Sequence, residues 1–265
     1  MEWWQAIVLG IVEGVTEYLP ISSTGHLILA QRAMGIGDGA SSRAFAICIQ
    51  AGAIAAVLGI YFPRVLAMSS GKANSLLVNL LVAFLPAAAI GFLAEDAIDE
   101  NLFGIWPVVV AWFVGGVLIV AFAGRLRGGW RSLESLDVQT ALLIGLFQCF
   151  ALWPGTSRSL TTIAGGLLLG LSMSAAVEFS LLLGLVTLGA ATAFKAFKHG
   201  GTMLDHYGGA AIALGFLCAA VSAWVAVKWM VAWLERRGLA IFGWYRVALA
   251  IVVAAWLFGY ARAGN

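Results

Sequence analysis

Six stretches of the chain are apolar and long enough to cross a lipid bilayer, for which about 20 residues are needed. They lie near residues 45–62, 76–94, 105–124, 177–194, 208–230 and 244–262. In hydrocarbon, backbone N–H and C=O groups must be satisfied internally, so apolar segments of this length are helical. Only 11% of the 265 residues are charged, whereas a soluble domain has about 25%. The sequence therefore predicts an all-α polytopic membrane protein with six transmembrane helices in a single membrane domain, residues 1–265.

Two further apolar stretches, residues 1–40 and 138–173, are each interrupted near the middle by a proline and a cluster of hydroxyl side chains. Each half is too short to cross a bilayer. Non-helical backbone is tolerated at membrane depth only where protein or a water-filled cavity surrounds it. We therefore interpret both stretches as re-entrant helical hairpins.

The two interrupted stretches also indicate an internal repeat. At an offset of 134 residues Pro20 matches Pro154, Ser23 matches Ser157, and Phe45 matches Phe179. This common spacing predicts a duplication with repeat halves of about 1–125 and 135–265.

Loop charges predict the orientation of the repeat. The charged residues of loops 64–72 and 125–131 are basic, whereas loop 95–100 is acidic. Cytoplasmic loops carry an excess of Lys and Arg, so the first two loops are predicted to be cytoplasmic and the third to lie outside. Hairpin 1–40 then enters from outside and hairpin 138–173 from the cytoplasm. The expected fold is an inverted-topology repeat, with a site near the midplane where the interruptions meet.

Charge and composition exclude several kinds of site. The formal net charge is +2 and no basic block occurs, so nucleic acid is not an expected partner. The three cysteines lie in apolar runs, and we interpret them as core residues. Amide side chains in the apolar stretches, among them Gln50 and Gln148, are interpreted as interhelical hydrogen-bond formers.

Glu13 and Glu17 lie in the first interrupted stretch, four residues apart. On a helix their side chains share a face. Two carboxylates in a low dielectric repel each other and are costly to bury, so the pair needs a proton, a cation or an arginine. A divalent metal ion or Arg158 would satisfy them. Acidic residues in a membrane segment indicate a functional site by default.

Residues 154–162 place a proline and a glycine before a predicted helix start that carries hydroxyls and Arg158. Backbone N–H groups at a helix N-terminus attract anions, and a guanidinium adds a forked donor suited to phosphate. The alternative is that Ser157 only caps the helix while Arg158 extends to an interface. The predicted phosphate-binding residues in the two interruptions are Ser22, Thr24, Gly155, Thr156, Ser157, Ser159 and Thr162.

Ser23 and His26 are candidates for the chemical step. Serine becomes a nucleophile beside a base, and histidine transfers protons near neutral pH. If a helix begins at Ser23, the two side chains share a face. A phosphoserine, a phosphohistidine and direct attack by water all remain open.

Two segments resemble the signatures of a known family. EGVTEYLPISSTGHL, from Glu13 to Leu27, and PGTSRS, from Pro154 to Ser159, are similar to the two motifs of the undecaprenyl pyrophosphate phosphatases linked to bacitracin resistance. The likeness extends to residues 45–50 and to Phe179 and Ser180. Chain length and span number also fit, so the resemblance covers essentially the whole chain.

The resemblance implies hydrolysis of undecaprenyl diphosphate to undecaprenyl phosphate and inorganic phosphate, which recycles the lipid carrier of peptidoglycan synthesis. It implies a site open to the periplasmic side of the bacterial plasma (inner) membrane and dependence on a divalent cation, Mg²⁺ or Ca²⁺, for which Glu13 and Glu17 are the expected ligands. The partners are the polyprenyl diphosphate substrate and membrane lipids, and a homodimer is left open. The expected catalytic residues are Glu13, Glu17, Ser23, His26 and Arg158.

Two positions depart from the family pattern. Leu160 stands where the family usually has glycine, and Val186 where it usually has proline. We expect the first to crowd the phosphate loop and the second to straighten a kinked helix.

Two other functions fit parts of the pattern. A flippase or transporter of undecaprenyl phosphate would share the inverted repeat with broken helices, and an intramembrane serine protease would use Ser23 and His26. Neither requires paired acids beside an arginine, so a phosphatase is the preferred interpretation.

Overall fold

The structure of the protein, a computed structural model, describes residues 1–37, 40–71 and 73–263. Lys72, which contributes to the predicted orientation, lies outside these residues, as does the side chain of Asp99. The described residues form helices and connecting segments, with no β-strand among them, which confirms the all-α class. The helices are α1 (Trp3–Thr16), α2 (Ser23–Ala33), α3 (Ala40–Ile60), α4 (Phe62–Ser69), α5 (Asn74–Leu93), α6 (Glu95–Leu102), α7 (Ile105–Phe122), α8 (Val138–Cys149), α9 (Arg158–Leu168), α10 (Met173–Arg237) and α11 (Ala240–Ala263).

Five helical segments are long and apolar enough to cross a membrane, namely Asn74–Leu93, Ile105–Phe122, Met173–Phe197, Gly209–Arg237 and Ala240–Gly259. The span predicted near residues 45–62 is split, because Phe45–Ile60 and Phe62–Ser69 meet at 78°. Pro63 lies in the first turn of α4 and has no N–H to continue the hydrogen bonding of α3, which accounts for the bend. The described chain is thus a multi-pass membrane protein with five spans, or six if the bent pair counts as one.

α10 is helical over 65 residues but does not run straight. Thr192 donates a hydrogen bond of 3.0 Å to Gln50 of α3, and the backbone of Phe216 lies against Gly52, two residues further along α3. On a straight helix Thr192 and Phe216 would be about 36 Å apart. The chain therefore folds back between them, and both parts of α10 pack against α3 as separate spans.

α1 and α2 form a hairpin, the first hairpin, whose two ends lie together. Gln5 Nε2, near the start of α1, donates a hydrogen bond of 3.5 Å to the carbonyl oxygen of Met34, which follows α2. The helices have 14 and 11 residues, so they are about 21 and 17 Å long. Each is shorter than the hydrocarbon core of about 30 Å.

α8 and α9 form the second hairpin, whose ends are joined by backbone hydrogen bonds. The N–H of Arg131 donates to the carbonyl oxygen of Gly170 at 3.1 Å, and the N–H of Ser172 donates to that of Arg131 at 2.9 Å. Asp137 caps α8 by accepting a hydrogen bond of 2.8 Å from the N–H of Thr140. Each interrupted stretch therefore consists of two short helices that return to the end from which they began.

The two hairpins break in the same backbone conformation. Ser22 has a φ of 72° immediately before α2, and Ser157 has a φ of 75° immediately before α9. They are 135 residues apart, so the sequence-based pairing of Ser23 with Ser157 is displaced by one residue at the break. The cause is local, because Ser22 follows Pro20 by two residues and Ser157 follows Pro154 by three.

The two departures from the family pattern are accommodated. The side chain of Leu160 is buried in the main core with Ile163 and Phe179, so it fills core space instead of crowding the loop before α9. α10 is helical through Val186, as expected for a segment without proline.

Candidate active site

The tips of the two hairpins meet at one backbone carbonyl. Ser159 Oγ donates a hydrogen bond of 3.0 Å to the carbonyl oxygen of Leu19, and Ser157 Oγ donates to the same oxygen at 3.4 Å. Both serines are buried. The hydroxyls predicted to bind phosphate therefore also join the two tips, and their role in binding stays a prediction.

Arg246 of α11 fastens the same two tips from the other side. Its Nη1 donates to the carbonyl oxygens of Thr156 at 3.0 Å and Pro20 at 3.5 Å. Its Nη2 donates to those of Ala111 at 2.8 Å and Gly155 at 3.0 Å. The residue is 0% exposed. One guanidinium thus fixes the backbone of both interruptions against α7.

Arg246 did not appear among the sequence-predicted site residues. It lies near the start of the predicted span 244–262, and an arginine inside an apolar segment is itself a signal of function. A second signal is Gly115 of α7, since a Cβ there would come within 2.5 Å of Arg246 Nη2. That pairing of α7 with α11 is visible only in three dimensions.

The structure brings Glu17, Ser23 and Arg158 together. Ser23 Oγ, at the first residue of α2, donates a hydrogen bond of 2.5 Å to Glu17 Oε2. Arg158 Nη2, at the first residue of α9, lies 3.8 Å from Glu17 Oε1. One carboxylate is therefore shared by a hydroxyl of the first hairpin and a guanidinium of the second.

Arg158 is held from three directions. Its Nη1 donates a hydrogen bond of 2.9 Å to the carbonyl oxygen of Ser180 in α10, and its Cζ lies 5.2 Å from the centroid of the Tyr18 ring. Gly184 lies behind the guanidinium, in a position where a methyl group would collide with it. The Arg158 side chain is 10% exposed, so the charge is fixed within protein.

Glu13 lies one helical turn before Glu17, so the two carboxyl groups share a face of the helix. Glu13 is 1% exposed. Its Oε2 has no hydrogen-bond partner among the residues that the structure describes. A buried carboxylate oxygen without a donor requires a proton or a cation for stability.

This pair of carboxylates fits a hard divalent cation. Mg²⁺ is typically bound through one or two carboxylates together with substrate phosphates and water. Glu13 and Glu17 supply the carboxylates, and the free Glu13 Oε2 is an available ligand. In the described parts of the chain no group of three or more His, Cys, Asp or Glu side chains forms a complete protein cage, so the remaining ligands would be substrate and solvent oxygens.

His26 is bound away from Ser23. Its Nδ1 lies 2.7 Å from the carbonyl oxygen of Ser22, and its Nε2 lies 2.7 Å from the hydroxyl of Tyr245. Because a carbonyl only accepts, Nδ1 carries a proton, and a neutral imidazole then accepts from Tyr245 through Nε2. The acceptor of the Ser23 hydroxyl is thus the Glu17 carboxylate and not His26, and Tyr245 is a further residue that sequence reasoning missed.

The other predicted binding residues surround this centre. Thr162 Oγ1 donates to the carbonyl oxygen of Arg158 at 2.9 Å and lies 2.7 Å from Ser180 Oγ. Gly155 has a φ of 97°, and a Cβ there would press on the backbone of Val108 at 2.9 Å. Thr156 donates its N–H to Trp153, and Thr24 is partly buried in the first turn of α2. Their contacts to substrate stay predictions.

A cavity of about 430 Å³ reaches Arg158 from the side of α5 and α10. Its polar lining residues are Arg158, Gln148, Thr187, Glu95 and Lys195. Most of the remaining wall is apolar, with Phe84 and Leu188 among its residues. The cavity therefore combines the Arg158 guanidinium with a mostly apolar wall that can contact hydrocarbon.

The chain matches known proteins over almost its whole length. Residues 6–252 match the family described as bacitracin resistance protein BacA. An "Undecaprenyl-diphosphatase" of Sorangium cellulosum is 43% identical, with 97% of this chain and 87% of the relative covered. One of Methylococcus capsulatus is 42% identical over 95% and 94%, and an "Undecaprenyl-diphosphatase 2" of Rhodospirillum rubrum is 44% identical over 95% and 93%. This polytopic helical chain, whose two hairpins each contain a polar break, therefore belongs to the bacitracin resistance protein BacA family.

Proposed function

We propose that the protein is an integral membrane phosphatase that hydrolyses undecaprenyl diphosphate to undecaprenyl phosphate and inorganic phosphate. The names of its relatives supply the reaction. The observation that carries the proposal is the contact of Ser23 and Arg158 with the single carboxylate of Glu17. This arrangement combines a hydroxyl, a base and a phosphate-binding cation within one buried site.

In the first step Ser23 Oγ attacks the terminal phosphorus. Glu17 accepts the hydroxyl proton as the new O–P bond forms, and the bond from that phosphorus to the bridging oxygen breaks. The bridging oxygen leaves with undecaprenyl phosphate and receives from Glu17 the proton that Glu17 took from Ser23. The 2.5 Å hydrogen bond from Ser23 to Glu17 supports this order, because a nucleophile must already be within hydrogen-bonding reach of its base.

In the second step water attacks the phosphoserine and gives one proton to Glu17, which returns it to Ser23 Oγ. The Ser23–phosphorus bond breaks, the serine hydroxyl is restored and inorganic phosphate leaves. Arg158 holds the phosphate oxygens throughout and opposes the charge that develops on them. A divalent cation held by Glu13 and Glu17 would lower the charge repulsion between the substrate and the two acids.

We further propose that both hairpins are re-entrant and enter from opposite membrane faces. Arg64 binds Glu178 at 2.7 Å and Glu134 at 3.3 Å, which places the loop after α3 and the base of the second hairpin at one end of the molecule. The two ends of the first hairpin, near Gln5 and Met34, adjoin the opposite end of α3. Tips that enter from two ends and share the Leu19 carbonyl support an inverted-topology repeat with a site between them.

The proposed site opens to the periplasmic side of the plasma membrane. The cavity that ends at Arg158 is lined by Glu95 of the acidic segment, at the end of the molecule opposite to Arg64. Basic loops face the cytoplasm in most membrane proteins, so the acidic end lies outside. This orientation gives the enzyme access to substrate from the outer leaflet.

The decisive test is phosphate release from C55 diphosphate by purified protein in detergent. Wild type releases one inorganic phosphate per lipid, and R158A does so at a small fraction of the wild-type rate. Brief incubation with substrate labelled in the terminal phosphate labels Ser23, and S23A carries no label. If S23A is as active as wild type, attack by Ser23 is contradicted and direct attack by water is supported.

A serine protease is disfavoured by the same geometry, because Ser23 is bound to Glu17 while His26 is bound to Tyr245. Intact lipid diphosphate transported across vesicles, without phosphate release, would support the carrier function instead.

A further inference from the structure

Gln148 is buried in α8, and of its side-chain amide only the oxygen is hydrogen-bonded to a described residue. The residue is 1% exposed. Its Oε1 accepts a hydrogen bond of 3.2 Å from the hydroxyl of Thr187 in α10. Its Nε2, which carries two N–H donors, has no hydrogen-bond partner within the described part of the chain. With Thr187 as the donor, the carbonyl end of the amide is engaged and its NH2 end is left over.

Arg158 also carries N–H donors that are not hydrogen-bonded to the described residues. Its Nε and Nη2 are buried and, among the described residues, likewise have no hydrogen-bond partner; the Glu17 carboxylate is 3.8 Å from Nη2, an ionic contact without a hydrogen bond. Gln148 and Arg158 both line the cavity of about 430 Å³. Two residues from different helices of the second hairpin thus line one cavity, and each has buried N–H groups that are unpaired among the described residues.

The chemistry of these donors selects the ligand. Buried N–H groups without acceptors are destabilising and are found where a ligand supplies the acceptors. The group that pairs with them must carry several acceptor oxygens, and a negative charge would match Arg158. Phosphate meets both conditions. The apolar residues that form most of the cavity wall suit the hydrocarbon attached to a lipid diphosphate.

We propose that Gln148 is a substrate-binding residue, whose Nε2 donates a hydrogen bond to an oxygen of the diphosphate that Arg158 holds, with Thr187 orienting the amide. This inference rests on the proposed phosphatase function and assigns one further residue to its site. The hydrogen bond to Thr187 confirms the sequence interpretation of Gln148 as an interhelical hydrogen-bond former. The inference adds a second role, in which the amide nitrogen donates to the ligand.

The chain contains a matched control. Gln50 of α3 accepts a hydrogen bond of 3.0 Å from Thr192 of α10, so it joins two helices by the same Gln–Thr contact. Gln50 is not among the residues that line the cavity. Q50M removes an interhelical hydrogen bond of the same type as Q148M does, but leaves the proposed phosphate donor in place.

Binding of inorganic diphosphate to the purified full-length protein, measured by isothermal titration calorimetry, tests the inference without turnover. We expect Q148M to raise the Kd about tenfold to a hundredfold, the range for a hydrogen bond to a charged group. Q50M leaves the Kd within about twofold of wild type, while both variants lower the melting temperature by similar amounts. Q148E keeps the acceptor for Thr187 and so retains the helix contact, yet its charge repels phosphate and raises the Kd at least as much as Q148M.

Wild-type Kd values in both Q148M and Q148E would overturn the inference, as would equal weakening by Q50M and Q148M. Failure of the proposed function gives a different result. If wild type binds diphosphate through Gln148 but releases no phosphate from the C55 lipid, the binding site stands and the catalytic proposal is wrong.

Discussion

Arg246 Nη1 donates a hydrogen bond of 3.0 Å to the carbonyl oxygen of Thr156, and the same nitrogen lies 3.5 Å from that of Pro20. A residue near the C-terminus of the chain therefore sets the spacing of the two breaks. Arg246 acts through the backbone, so it is a positioning residue.

R246M is expected to lower kcat about 100-fold, the scale of loss for catalytic groups misplaced by about 1 Å. R246K is expected to lower it by a similar amount, because a compact ammonium cannot span the carbonyl oxygens on both sides of the guanidinium. Steady-state kinetics on C55 diphosphate measures the effect, with R127K at an exposed arginine as control. Folded R246M with normal kcat would show that the tips hold their spacing without it.

Gly184 gives a test of Arg158 that leaves every polar group unchanged. In G184A the added methyl collides with the guanidinium, so we expect Arg158 to move and KM for the lipid to rise. G189A is the matched control on α10, since no atom lies within 4 Å of a Cβ at that position. Equal kinetics in the two variants would contradict the placement of Arg158.

Glu17 and Ser23 are expected to act as one unit. E17Q should lower kcat about 10²- to 10⁴-fold, the usual contribution of a general base, and S23A should lower it comparably. The double variant should be little worse than either single one, because groups that act together are not additive. Single-turnover rates for the three variants test this, with S69A, an exposed serine of α4, as control. If the loss in the double variant equals the product of the two single losses, Glu17 and Ser23 act independently.

Glu13 is expected to carry the metal dependence. Treatment with chelator should abolish phosphate release, and added Mg²⁺ or Ca²⁺ should restore it. E13Q lacks the charge of the free carboxylate oxygen, so it should need more metal for half-maximal activity than wild type does. A titration of activity against free metal concentration measures the shift. Full activity of the wild type in chelator would exclude a metal at this pair.

The carboxyl group of Asp137, at the start of α8, is expected to make the stability of the protein depend on pH. Hydrogen bonds from the Thr140 N–H and the Arg131 side chain lower the pKa of Asp137 to about 2. A carboxyl group with a lowered pKa stabilises the fold above its unfolded pKa, and this contribution is lost as pH falls through the folded pKa. D137A should therefore melt below wild type at neutral pH, and the difference should disappear as pH approaches 2. Melting curves at several pH values, with E235A as an exposed control, test this expectation.

The helix class and most spans could be predicted because hydrophobic length alone determines them. The contact of Arg158 with the acidic pair could also be anticipated, since a buried carboxylate pair needs a cation. The bend after Ile60 was not expected, although Pro63 provides a signal for it. A proline near the end of an apolar run permits either a break or a termination, and packing decides between them.

The partners of Ser23 and His26 could not be read from spacing. Residues at i and i+3 share a helix face, but the backbone turn at Ser22 places Ser23 Oγ against Glu17 instead. Tyr245 is more than 200 residues away in sequence, so only tertiary structure reveals its bond to His26. The sequence thus predicts which polar residues gather, and the fold determines which of them pair.

The contact between Glu17 and Arg158 has a consequence for biogenesis, because the two residues lie in different halves of the chain. The ribosome delivers Glu13 and Glu17 about 140 residues before Arg158 emerges. During that interval the acids lack Arg158, and burying them as unpaired ions is costly. Until the later half of the polypeptide arrives, the first hairpin must therefore take up protons or cations, remain hydrated, or be shielded by an insertion factor.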